Sequence, residues 1–185
     1  MRIAGVDEVG RGALFGPVVA AAVVLSPDGY TALAALGVTD SKRLSPRRRE
    51  MLYPQIHHQA LAVGLGSATV SEIQRLNILT ASLLAMERAI AALGLIPDLC
   101  RIDGNQPLRF QEMAPLPQET VVQGDRQCLE IAAASIVAKV WRDRAIAALD
   151  REYPGYDLAR NKGYPTPKHR AALSRLGPTP LHRWP

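Results

Sequence analysis

The sequence lacks the marks of several protein classes. Only two cysteines occur, Cys100 and Cys128, too few for a disulfide framework and without zinc spacing, so both read as reduced thiols in or near a core. The apolar run from Pro17 to Leu25 is too short to cross a bilayer and begins with proline. Asp7 and Glu8 interrupt any signal-peptide progression at the N-terminus. No internal repeat and no low-complexity segment is present. Acidic side chains are outnumbered, 17 against 22 Lys and Arg, for a net charge of +5. That balance favours an anionic partner, nucleic acid before an anionic membrane surface. What is present, 185 residues with 48% apolar content and 21% charge, supports one compact, cytoplasmic domain with a genuine core rather than disorder.

The segment of greatest chemical interest is Gly5-Val6-Asp7-Glu8-Val9-Gly10-Arg11-Gly12. Residues 2–6 have the character of a short buried strand, and neither Asp nor Glu is favoured in strands or buried without a partner. A divalent cation or a basic neighbour such as Arg11 would compensate the pair, and a solvated turn would leave it in water.

Further along, residues 17–25 read as a strand buried on both faces, ended by a turn at Ser26-Pro27-Asp28-Gly29. Residues 39–44 read as polar loop, and Ser45-Pro46 opens a basic helix to about Ile56. A third strand spans 61–69. A capping box at Ser71-Glu72-Ile73-Gln74 starts a helix that aligns Leu76, Leu79, Leu83, Met86, Ile90 and Leu93 on one face, with Gly94 closing it. Short strands follow at 99–103 and 119–122. A long helix runs from Cys128 to about Tyr153, with Ile131, Ala134, Ser135, Ala138, Ile146 and Leu149 near one stripe and Lys139, Arg142, Asp143 and Arg144 mostly off it. Thr166-Pro167 starts a last helix through Leu176. The order implies an antiparallel meander followed by α/β units, a mixed sheet with helices packed on it.

Asp103 and Asp125, like Asp7, stand where an apolar strand gives way to a glycine-containing turn. Adjacent strands would gather Asp7, Glu8, Asp103 and Asp125 at one sheet edge. Four clustered carboxylates raise one another's pKa, and Mg²⁺ or Mn²⁺ relieves this. Two ions about 4 Å apart would support in-line phosphoryl displacement.

These blocks, with Asp40-Ser41-Lys42, Ile102-Asp103-Gly104-Asn105, Gly124-Asp125, residues 132–143 and Lys162-Gly163-Tyr164, resemble the signature blocks of the bacterial ribonuclease HII family, in family order from residue 3 to about 183. The resemblance implies an RNase H-like α/β fold: a mixed five-stranded sheet flanked by helices in a single domain over 1–185, with about 154–185 as a small C-terminal helical appendage. It implies a monomeric endonuclease cutting the RNA strand of RNA–DNA hybrids and 5′ of single ribonucleotides in duplex DNA, leaving 3′-hydroxyl and 5′-phosphate ends. By position, Asp7, Glu8, Asp103 and Asp125 match the family's metal-binding carboxylates, with Asp7 bridging two ions and Asp125 holding the one that activates water. Gly10-Arg11-Gly12 matches the turn that senses the ribose 2′-hydroxyl, and Tyr164 the tyrosine that stacks on the following deoxynucleotide. Lys42 and Lys139 resemble phosphate contacts. Ser41 and Asn105 shape their loops, Asp143 makes an ion pair, and His169 and His182 are local hydrogen-bonding or surface residues.

Three positions depart from the family pattern: Ala13 for Pro, Arg126 for Ser and Asn161 for His. Arg126 could pair with Asp125, which leaves a non-catalytic nucleic-acid-binding protein as the alternative. Relatives typically continue beyond His182-Arg183-Trp184-Pro185 with a Ser-Phe-containing tail, and a clamp-binding peptide carried on such a tail is not expected here. A dinucleotide fingerprint is disfavoured, because the third glycine falls at Gly16 and Pro17 opens a strand.

Overall fold

The computed structural model describes residues 1–183; Trp184 and Pro185 of the tail lie outside the described residues. In chain order the elements are β1 (Ile3–Val9), β2 (Val18–Leu25), α1 (Pro27–Ala35), a 3-10 turn (Ser41–Arg43), α2 (Pro46–Gln59), β3 (Ala60–Ala68), α3 (Val70–Leu76) and α4 (Ile78–Ala91). They continue with β4 (Leu99–Asp103), β5 (Gln118–Val121), α5 (Gly124–Gln127), α6 (Leu129–Ala148), α7 (Leu158–Asn161) and α8 (Pro167–Leu176).

One five-stranded sheet has the order β3-β2-β1-β4-β5. The first three strands pair antiparallel, whereas β1 with β4 and β4 with β5 run parallel. This is the mixed sheet expected, and it puts the carboxyl ends of β1, β4 and β5 at one edge. β2 is buried along its whole length, because both faces are covered. Ala20, Ala22 and Val24 pack with Ala85, Ala89 and Ile90 of α4 on one side. Ala21 and Val23 pack with Leu52 and Ile56 of α2 and residues 132–138 of α6 on the other. Small residues let α6 lie almost on the strands. A Cβ at Gly5 would sit 2.3 Å from the backbone carbon of Glu130, so only glycine permits this approach.

A third cluster, Phe15, Ile146, Tyr156, Leu158 and Ala172, anchors the C-terminal residues against the end of α6. Cys100 and Cys128 are both free thiols, Cys100 buried. Among the described residues no helix is long and apolar enough to cross a membrane.

Several local expectations need correction. Ser26-Pro27 does not close a turn. It opens α1, Ser26 Oγ accepting from the Gly29 N–H at 2.9 Å, with Pro27 at a first-turn position as Pro46 is in α2. The capping box is Thr69 with Glu72, two residues earlier than expected. The helix then breaks at Asn77, whose φ of 68° ends α3 while its side chain caps α4. That break shifts the phase of the apolar stripe: Met86, Ile90 and Leu93 are buried, but Leu79 is exposed. The long helix ends at Ala148 rather than near Tyr153. Arg142, expected mostly off its buried stripe, is fully buried, because Phe15, Pro17 and Lys162 cover that side of α6 and their carbonyls accept from it.

Candidate active site

Parallel pairing of Val6 with Ile102 brings the next residues of each strand, Asp7 and Asp103, side by side. Ligand oxygens of Asp7, Glu8 and Asp103 lie within 4.8 Å of one another. Asp103 ends β4 as expected, whereas Asp7 and Glu8 lie inside β1, which runs on to Val9. Asp125 is neither at a strand end nor part of this trio. It belongs to α5, one turn of helix whose Gly124 N–H donates to Asp103 Oδ1 at 2.7 Å.

Burial, followed by the charges of Glu8 and Asp103, pushes the Asp7 carboxyl well above its ordinary pKa. Burial also raises Glu8, against the opposing pull of Arg11. Asp125 is raised by burial and then by Asp103 and Asp40. Such a set is costly to ionise in isolation, and oxygen-only donors in this density suit a hard divalent cation. Asp7, Glu8 and Asp103 could hold it directly, with Asp125 at the flank.

The trio lines a cleft of about 560 Å³. Gly10, Arg11, Gly12, Lys42, Lys139 and Tyr164 line the same cleft. Gly10 has φ +91°, and a Cβ there would meet Arg142 Nε at 2.2 Å, whereas Gly12 has open space around it. The turn is thus backed by α6 and open toward the cleft. Arg11 is about half exposed and reaches Glu8 at 3.4 Å. Lys139 bonds Asp143 at 2.8 Å, so Asp143 makes the ion pair expected of it. Lys139 also lies 5.0 Å from the Tyr164 ring centre, in the range of a cation–π contact.

Arg126 does not pair with Asp125. It turns to buried Asp40, Nε to Oδ2 3.3 Å. Burial pushes Asp40 up, but hydrogen bonds from the Lys42 N–H and Arg126 outweigh it and leave Asp40 below the usual range. The sole sequence support for a non-catalytic reading is thereby removed. Asn161, the other notable departure, is buried. It donates to the Tyr156 carbonyl at 2.7 Å and accepts from the Gly163 N–H at 2.8 Å, shaping the loop before Tyr164. His169 and His182 are both buried and bonded to each other, not surface residues.

Sequence reasoning missed two contributors. Asp40 passed for loop, although a capping aspartate before Ser-Lys is a recognisable signal. Ser135 reads from sequence as helix stripe, yet its hydroxyl favours the ionised form of Asp7 and meets the Ser41 hydroxyl at 2.8 Å. A hydroxyl inside an alanine-rich buried face was its only trace.

Comparison with known proteins agrees with this geometry. Ribonuclease H2 from Pyrococcus horikoshii matches with a TM-score of 0.80 at 28% identity, covering 99% of this chain and 92% of that one. The RNase HII in a PCNA complex from Archaeoglobus fulgidus matches with a TM-score of 0.82 at 27% identity, covering 99% and 94%. Fold and carboxylate cluster together define an α/β enzyme of the ribonuclease H-like class.

The family profile of Ribonuclease HII matches residues 4–184. The Ribonuclease HII of Synechococcus elongatus is 60% identical over 181 residues, 98% of this chain and 83% of that protein. The chain belongs to the ribonuclease HII family. It is a metal-dependent ribonuclease H, acting on RNA–DNA hybrids.

Proposed function

We propose that this protein is an endonuclease that also cuts on the 5′ side of single ribonucleotides embedded in duplex DNA, leaving 3′-hydroxyl and 5′-phosphate ends. The observation that carries the reading is the cleft itself, lined by Asp7, Glu8 and Asp103 together with Gly10-Arg11-Gly12 and Tyr164. Asp7, Glu8, Asp103 and Asp125 would hold Mg²⁺ or Mn²⁺ in a two-ion site. Bound there, the ions supply water activation and neutralise charge on the leaving oxygen. The Ser135 hydroxyl favours the ionised form of Asp7 that this requires.

Beside the carboxylates, a glycine-flanked turn lets backbone amides and carbonyls approach the ribose 2′-hydroxyl, the group that separates RNA from DNA. Tyr164 offers its ring to the next deoxyribose, which rejects a second ribose there. Lys42 and Lys139 lie where they can take backbone phosphates. The chain would work as a monomer in the cytoplasm, with residues 154–185 an appendage of a single catalytic domain.

Asp7→Asn tests the reading. It should abolish cleavage of a duplex carrying one ribonucleotide while gel-shift binding of that duplex persists, and undiminished nicking by the variant would overturn it.

A further inference from the structure

The two features proposed above to read the RNA–DNA junction, the turn at residues 10–12 and Tyr164, are far apart in sequence yet fastened to consecutive residues near the chain end. Arg183 Nη1 donates to the carbonyls of Gly10 at 2.6 Å and Arg11 at 3.1 Å, and its Nε donates to Gly16 at 2.7 Å. The backbone adds to this. Arg183 N–H donates to the Leu14 carbonyl at 2.7 Å, and Gly16 N–H to that of Leu181 at 2.8 Å. A planar guanidinium can satisfy three carbonyls at once; a lysine ammonium at the end of a flexible stem does not hold that fork. Because a trans peptide sets N–H opposite C=O, carbonyls of Gly10 and Arg11 drawn to Arg183 turn the N–H groups of Arg11 and Gly12 away from it.

His182 carries the other connection. Its Nδ1 accepts from the Thr179 N–H at 2.9 Å, so its proton sits on Nε2 and is donated to His169 Nε2 at 3.1 Å. The His169 proton is then on Nδ1, where it is donated to the Tyr164 carbonyl at 2.9 Å. With both rings neutral, this is the arrangement of protons that satisfies all these contacts. Both rings are buried, which holds the relay rigid.

We infer that Arg183 and the His182–His169 pair are positioning residues for junction recognition: together they fix the ribose-reading turn and Tyr164 relative to one another. The inference rests on the junction reading given under Proposed function. Neither group is among the residues that line the cleft. Each acts through the backbone of a residue that does.

The test compares kcat and KM on a duplex with one ribonucleotide and on a uniform RNA–DNA hybrid, for the unaltered protein, Tyr164→Ala, Arg183→Lys, His169→Asn and His169→Gln. Misplaced reading groups lower kcat on the single-ribonucleotide duplex with KM little changed, since its phosphate contacts remain. Arg183→Lys and His169→Gln should therefore reduce the preference for that duplex over the hybrid, on the order of tenfold. His169→Asn should retain most of the preference, because its amide nitrogen falls where Nδ1 donates to Tyr164.

Equal losses on both substrates, or an unchanged preference in Arg183→Lys, would overturn the inference. So would His169→Asn and His169→Gln behaving alike. Thermal melting of each variant separates a folding defect from a positioning one, and a variant that does not fold is replaced by Arg183→Gln, for which the same loss of preference is expected. If Tyr164→Ala itself leaves the preference intact, the junction reading fails and takes this inference with it. If Tyr164→Ala lowers the preference and the other variants do not, the inference alone fails.

Discussion

At the scale of single residues, the acids of the cleft separate into those visible in the chain and those created by folding. Asp7, Glu8 and Asp103 announce themselves, because carboxylates in or at the end of apolar strands demand a partner. Asp40 does not, since a capping aspartate in a polar segment has an ordinary explanation. Only tertiary structure sets it against Asp125 and gives it Arg126 to hold. The consequence is testable. Asp40→Asn removes the negative charge that keeps Arg126 turned aside and leaves a guanidinium free to compete for Asp125. The Mg²⁺ concentration needed for half-maximal cleavage should rise several-fold, on the order of 1 kcal/mol in metal binding, and fall back in Asp40→Asn combined with Arg126→Ser. A double variant no better than the single one would show that Asp40 acts on Asp125 directly.

At the scale of elements, what could be read from the chain was existence and type, and what could not was phase. The buried strand β2, the basic helix α2 and the last helix α8 fall where apolar runs and Ser-Pro or Thr-Pro starts put them. The start of α1 carried the same Ser-Pro signal but reads equally well as a turn, because Asp-Gly follows it. The break at Asn77 depends on a left-handed backbone that no periodicity reports. The approach of α6 to the sheet was legible only in part: its alanines suggest closeness, and Gly5 sets the limit. Gly5→Ala puts a methyl 2.3 Å from the Glu130 backbone and must push α6 outward. Overpacking of this kind costs about 1–3 kcal/mol, against about 1 kcal/mol for loss of the α1 cap in Ser26→Ala. Urea denaturation ranks them. Gly5→Ala should also slow cleavage, since α6 carries Ser135 and Lys139 into the cleft, whereas Ser26→Ala should leave the rate unchanged.

At the scale of the whole molecule, His182 and Arg183 tie the C-terminal segment to the turn at Gly10 and to α8, and this gives stability a pH dependence that the carboxylates do not share. His182 faces the His169 ring of α8, the Tyr156 ring, the Phe15 ring and Thr179. The adjacent Arg183 is cationic, and no carboxylate is among these contacts. Burial, and then the charge His169 would carry, pushes the His182 imidazole down to about 4 from 6.5. A histidine depressed in the folded state is neutral there while the unfolded chain takes up a proton. Its contribution is present in full above pH 6.5 and is lost as pH falls from 6.5 toward 4. Other groups titrate in different windows or with opposite sign. Glu72, held down to about 2 chiefly by Arg88, stabilises the fold until pH falls below the ordinary glutamate range. Asp7, Glu8 and Asp125, all raised, relieve their repulsion as acid is added. The difference between two proteins isolates the histidine. His182→Asn should melt lower than the unaltered protein at pH 7.5, and the gap between their Tm values should narrow steadily as pH is lowered to 5, because only the unaltered protein loses the neutral pair. A constant gap across that range would mean that His182 stabilises by packing alone.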